Sequence, residues 1–173
     1  MKKILWLVLS LTVISAVCAG VLAYVDSITK GPIAEMKVKQ AQAAAAAVMP
    51  EGVASVEPSD AGVYVGKAAD GKVVGYAVAG KDGKGYGGDI VLMVGFRADK
   101  KTVVCYKKLE ANETPGLGSK LVTPEFSGQF VGRDAAKGLK VKKDGGEIEA
   151  ITSATITSRA VCRALENAAS KLK

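Results

Sequence analysis

The runs Val63-Tyr-Val-Gly-Lys67, Val73-Val-Gly-Tyr-Ala-Val-Ala79, Asp89-Ile-Val-Leu-Met-Val-Gly-Phe96 and Thr102-Val-Val-Cys-Tyr-Lys-Lys107 decide the fold. Each is short, rich in β-branched and aromatic residues, and bounded by turn formers, which is the pattern of a strand. Asp70-Gly71-Lys72 separates the first two runs and Ala98-Asp99-Lys100-Lys101 the last two. Connections that short imply antiparallel pairing, because parallel neighbours need a long crossover. Between the middle runs, Gly83-x-Gly85-x-x-Gly88 fits a dinucleotide fingerprint, but a strand follows where phosphate binding needs a helix, so it reads as a hairpin loop. Farther on, the pattern predicts a short helix near Pro124 to Phe130. A further hairpin is expected from Leu139 to Lys143 and Glu147 to Ile151, across Asp144-Gly145-Gly146. A closing helix follows from Ser158 to Leu172, with Ala160, Val161, Ala164, Leu165, Ala168 and Leu172 on one face. The expected class is α+β: one domain with an antiparallel sheet flanked by helices.

Upstream, Ile4 to Val25 carries no charge. At about 1.5 Å per residue it spans a bilayer core of roughly 30 Å. Lys2 and Lys3 ahead of it also suit a secretory signal, but the run is long for one and its end offers a poor cleavage site, so an uncleaved anchor is the reading. Lysines stand on both sides (Lys2 and Lys3, then Lys30, Lys37 and Lys39), and charge alone does not orient it. Gly31-Pro32 is expected to break this helix and start another, reaching about Met49, with Ile33, Met36, Ala43, Ala44, Ala47 and Val48 on its apolar stripe. The chain then divides into an anchor, 1–25, a juxtamembrane helix, 26–50, and a domain, 51–173.

Removing Lys2 and Lys3 from the formal net charge of +7 leaves +5 for the remainder. Its lysines are scattered and its aromatics few, which argues against a nucleic-acid surface. The chain has no histidine, so zinc-finger and haem-attachment patterns are absent from the sequence, and no metal site is expected. Cys105 and Cys162 form no Cys-x-x-Cys, and a single disulfide between them stays open.

Chemistry concentrates in Glu149-Ala-Ile-Thr-Ser-Ala-Thr155-Ile-Thr-Ser158, which sets hydroxyls against the start of the closing helix. The amides of a helix's first turn and its dipole favour an anion there, and Arg159 is placed to add a countercharge. On residues alone, Thr157 or Ser158 capping the helix is the simpler account, and Thr114-Pro-Gly116 is simply a turn.

The two segments together, Glu149 to Thr155 and Asn112-Glu113-Thr114-Pro115-Gly116-Leu117-Gly118-Ser119, resemble the FMN-binding domain of the G subunit of the Rnf electron-transport complex. They also resemble the related C subunit of sodium-translocating NADH:quinone reductase. The resemblance implies FMN bound as a phosphoester on Thr155, with Thr152, Ser153, Ala154, Thr157 and Ser158 around it. It implies Glu113, Thr114, Gly116, Leu117 and Gly118 beside the flavin, and Tyr86 stacked near the ring. It implies an electron-relay role in an ion-translocating ferredoxin:NAD oxidoreductase, with no catalytic residue of the chain's own. The other subunits of that complex and a flavin transferase would be its partners, and the domain would lie on the extracytoplasmic side of the cytoplasmic membrane. Glu149 stands where the family has aspartate and Ser153 where it usually has glycine, so the serine is expected at a backbone angle that suits glycine. Two other readings remain: an anchored flavin-binding module outside any translocase, and an extracytoplasmic protein holding a free anion.

Overall fold

The computed structural model describes residues 2–59 and 62–172. The chain forms two compact units, Met1–Lys39 and Gln40–Lys173. Helix α1 runs from Lys2 to Val48 with Pro32 inside it, so the expected break at Gly31-Pro32 does not occur. A proline removes one hydrogen bond and crowds the preceding turn. The long uncharged run before it and the Ala-rich run after it are strong enough helix formers to carry the helix through. Among the described residues, this is the one helix long and apolar enough to cross a membrane.

The second unit is built on a five-stranded antiparallel meander in chain order: β1 (Ser55–Pro58), β2 (Val63–Lys67), β3 (Val73–Gly85), β4 (Gly88–Arg97) and β5 (Val103–Ala111). All four sequence-read strands are present. β1 went unread because it is short and mostly exposed and ends in Pro58, a residue that strands tolerate only at an edge. β3 runs past Ala79 through Gly80 to Gly85 and pairs Gly85 with Gly88, so only Tyr86-Gly87 turns the corner. The expected hairpin at 139–151 is absent. Val141 and Ile148 instead share one parallel bridge around a 3-10 turn, Lys142–Asp144. Gly145 at φ +81 ends that turn and sends the chain back alongside rather than antiparallel.

The strands alternate between two faces, as their period of two requires. Ala77 and Met93 join Ala44, Ala45 and Val48 from the end of α1 on one side. A side chain on Gly95 would lie 1.8 Å from the Val48 carbonyl oxygen, so only glycine lets the helix end sit that close. Ala44, Ala45 and Val48 are buried, whereas Ala43 and Ala47, two members of the expected stripe, are exposed.

On the other face, Val78, Ile90, Leu92, Val94, Phe96, Val103 and Tyr106 pack with the closing helix α3 (Thr155–Ser170) and the segment after β5. The expected α3 face is buried at Ala160, Val161, Ala164, Leu165, Ala168 and Leu172. Fully burying a Leu, Ile or Phe side chain contributes about 1.5–3 kcal/mol, and this core is where most of that burial lies. The short helix α2 (Pro124–Ser127) and the 3-10 turn Gly128–Phe130 supply Phe126 and Phe130, whose rings meet edge-to-face at 5.4 Å. Alanines bring α3 close to the sheet, and at Gly80 a side chain would lie 2.0 Å from the Ala164 carbonyl oxygen. Arg163 and Asn167 on α3 and Lys171 just past its end, spaced one turn apart, bond to Asp82 and to the carbonyls of Lys81 and Ala79. The helix is thereby registered along β3. Cys105 and Cys162 are free thiols on opposite sheet faces, so the open question of a disulfide between them closes. Burial pushes the Cys162 thiol up to about 12, and it is not a reactive thiolate.

Candidate functional site

The N-terminus of α3 opens into a cavity of about 420 Å³ lined by Tyr86, Glu113, Thr114, Leu117, Gly118, Ser153, Ala154, Thr155, Ile156 and Thr157. Three separate segments meet there: the β3–β4 turn, the loop after β5, and the segment entering α3. The volume falls within the roughly 300–1,000 Å³ common for small-molecule sites.

Thr155 is the first helical residue, and Ala154 before it makes no side-chain cap. The first backbone bond joins Ser158 N to Ala154 O. The amides of Thr155, Ile156 and Thr157 therefore have no acceptor in a preceding turn, as at any helix start. The Thr155 side chain is half-buried, and its hydroxyl bonds to no described residue. Neither expected capping residue caps. Thr157 Oγ1 donates to Glu113 Oε2 at 2.6 Å, while buried Ser158 donates to Ala154 O and accepts from Ile151 N, each at 2.9 Å. With no capping side chain, the end of the helix stays available to an anion.

Ser153 has φ +62, the left-handed backbone expected there. It turns the chain so that the residues after it face the cavity. The residues before it, Glu149 to Thr152, border a separate depression with Lys120, Gln129 and Phe126. Thr152 is thus not brought to the cavity. Glu149 is held through its backbone, its N–H donating to Gln129 Oε1 at 2.7 Å, and its carboxylate pairs with Lys142 at 2.5 Å.

The loop after β5 folds on itself. Leu117 N and Ser119 N both donate to Thr114 O, and Gly116, at φ +76, donates its N–H to Ser119 Oγ. Gly116 shapes this turn and does not line the cavity, and Ser158 is buried and does not line it either. Glu113 reaches across: besides Thr157, its Oε1 accepts from Gly87 N at 3.3 Å. Tyr86, Leu117 and Ile156 are 70%, 40% and 48% exposed, an apolar rim to a polar floor. Sequence reasoning missed Ile156. Its place one residue past Thr155, on the turn of helix opposite the core face, was the available signal.

Arg159 is not aimed at Thr155. Its guanidinium makes two bonds to the Asp144 carboxylate, at 2.7 and 2.6 Å, which hold that carboxyl below its usual range. At Asp82, burial alone would raise the carboxyl. The Arg163 hydrogen bond, the Lys84 amide and both positive charges outweigh it, and the carboxyl lies below the ordinary value. Among the described residues, Glu113 is the one formally charged side chain lining the cavity. Among the described residues no cluster of metal-ligating side chains occurs.

The donor set fits a phosphate-bearing, flat aromatic group: unsatisfied helix amides, a free hydroxyl, an apolar rim, and glycine-bearing segments that bring backbone close. Residues 85–170 match the family model of the FMN-binding domain. The G subunit of the ion-translocating oxidoreductase complex of Methanosarcina acetivorans is 36% identical, with 96% of this chain and 93% of that protein aligned. The G subunit of the Na(+)-translocating ferredoxin:NAD(+) oxidoreductase complex of Acetobacterium woodii is 37% identical over 92% of this chain and 87% of that one. The crystal structure of the C subunit of Na(+)-translocating NADH-quinone reductase from Parabacteroides distasonis aligns with a TM-score of 0.50 at 27% identity. It covers 61% of this chain, which spans 57% of that structure. The chain belongs to the family of G subunits of ion-translocating oxidoreductase complexes, and it carries the FMN-binding domain that residues 85–170 match.

Proposed function

We propose that this chain is the electron-relaying G subunit of a membrane-bound, ion-translocating ferredoxin:NAD oxidoreductase complex, carrying FMN as a phosphoester on Thr155. α1 is its single membrane span, and the domain lies on the extracytoplasmic side. The observation that carries the reading is the unbonded Thr155 hydroxyl at the uncapped start of α3, facing a cavity with an apolar rim. FMN, when bound, supplies reversible electron uptake. The chain's own residues bind and orient it. Thr155 Oγ1 would carry the ester, the first-turn amides would hold the phosphate, and Tyr86, Leu117 and Ile156 would shield the ring. The Thr155 hydroxyl makes no hydrogen bond to a basic group among the described residues, which supports attachment by a separate transferase. Such an enzyme would take FMN from FAD, breaking the pyrophosphate and releasing AMP.

The test is intact mass and in-gel fluorescence of the denatured full chain, coexpressed with a flavin transferase, beside Thr155→Val. A gain of one FMN less water in the wild type, absent from the variant, is expected. An unmodified wild type alongside a modified control substrate would sink the covalent reading and favour a reversible binding module.

A further inference from the structure

Glu113 sits in the cavity as a fixed negative charge. One carboxylate oxygen takes the Thr157 hydroxyl and the other the Gly87 amide, so the group is clasped between α3 and the β3–β4 turn. Its place is kept open by glycines: a side chain on Gly118 would lie 2.4 Å from Oε2, and one on Gly85 would lie 2.9 Å from Oε1. Among the described residues, no cation lines the cavity with it. Arg159 and Arg163 of α3 and Lys81 of β3 are each paired with another carboxylate, Asp144, Asp82 and Asp89.

We propose that Glu113 is a potential-setting residue: its carboxylate opposes the arrival of negative charge on the group bound in this cavity and so keeps that group's reduction potential low. The inference rests on the FMN reading above. An electron entering a partly buried cavity meets the Glu113 charge with less screening than in water. The Thr157 hydroxyl offsets part of that charge by donating to it, and the glycine cradle keeps the carboxylate from swinging out to solvent. Glu113 therefore acts through its charge and not through bond making.

The experiment is a potentiometric titration of the FMN-loaded full chain in detergent. Dithionite is the reductant, itself oxidised to sulfite, and loading is checked by intact mass. Wild type is compared with Glu113→Gln, Glu113→Asp and Thr157→Val. The midpoint potential of Glu113→Gln is expected to rise. Glu113→Asp, which restores the charge, should return toward wild type. Thr157→Val, which keeps the charge but removes its donor, should fall or stay level. A Glu113→Gln potential at or below wild type would overturn the proposal, as would a rise in Glu113→Asp as large as in Glu113→Gln. Should Glu113→Gln fail to load, a rise in Thr157→Val overturns it and a fall supports it. An unmodified wild type would instead refute the FMN reading itself, and this inference with it.

Discussion

Replacing Ser153 by glycine should make this protein more stable. The residue holds φ +62, and an L side chain in the left-handed region costs about 1–2 kcal/mol. Glycine removes that cost but loses about 0.5–1 kcal/mol of its own through greater freedom in the unfolded chain. The Ser153 hydroxyl bonds to no described residue and the side chain is exposed, so nothing else is forfeited. The net gain is about 0.5–1 kcal/mol, which for a unit of this size is about 2–4 °C in Tm. Thermal unfolding of the full chain in micelles, followed by circular dichroism, reads it directly. Ser153→Ala is the control: it keeps the Cβ and its clash, and should show no gain. A Ser153→Gly protein no more stable than wild type would refute the strain argument, and so would equal gains in both variants.

Gly80→Ala places a Cβ 2.0 Å from the Ala164 carbonyl and must push α3 off β3, with a loss of about 1–3 kcal/mol in the same melt; an unchanged Tm would show that the helix yields there without cost. The Asp82–Arg163 pair has a depressed carboxyl, so its stabilisation is complete above the ordinary aspartate value of about 3.9 and is lost as pH falls through the folded-state value. Asp82→Asn should therefore flatten the decline of Tm below about pH 4. At neutral pH it should cost about 1–3 kcal/mol, less than for a fully buried pair because the Arg163 side chain is 37% exposed. A variant that keeps the wild-type acid profile would show that the pair does not govern it.

The sheet was legible because its strands announce themselves by composition and by short turns, and each pairs with its neighbour in sequence. β1 was not, since an edge strand buries little and needs no apolar pattern. The 139–151 segment misled because Asp144-Gly145-Gly146 suits a hairpin turn, while burial of Leu139, Val141 and Ile148 in the core was satisfied by a single parallel bridge. Gly31-Pro32 carries a strong local breaking signal, and the helix formers around it prevail. At the cavity, Ser153, Ala154, Thr155, Thr157, Glu113, Thr114, Leu117, Gly118 and Tyr86 come together from motifs read in the chain. Thr152, Gly116 and Ser158 fall outside because the left-handed turn at Ser153, the tight loop at Gly116 and the helical phase of Ser158 aim them elsewhere. None of those directions is written in a residue type. The Thr157–Glu113 bond joins residues far apart in sequence, and the pairing of Arg159 with Asp144 depends on a loop whose residue pattern suggests a different path.

The order of the elements has a temporal consequence. All five strands precede α3, so a chain emerging from its amino end completes the meander while Val78, Leu92, Val94 and Phe96 still lack their cover. The β3–β4 turn and the Glu113 loop have by then been made, but the wall that holds Thr155, and the Thr157 hydroxyl that holds Glu113, are missing until α3 docks against Gly80. The cavity therefore cannot be complete before α3 has docked. Any enzyme that acts on Thr155 only in its cavity setting inspects, in the same act, whether the whole fold has closed.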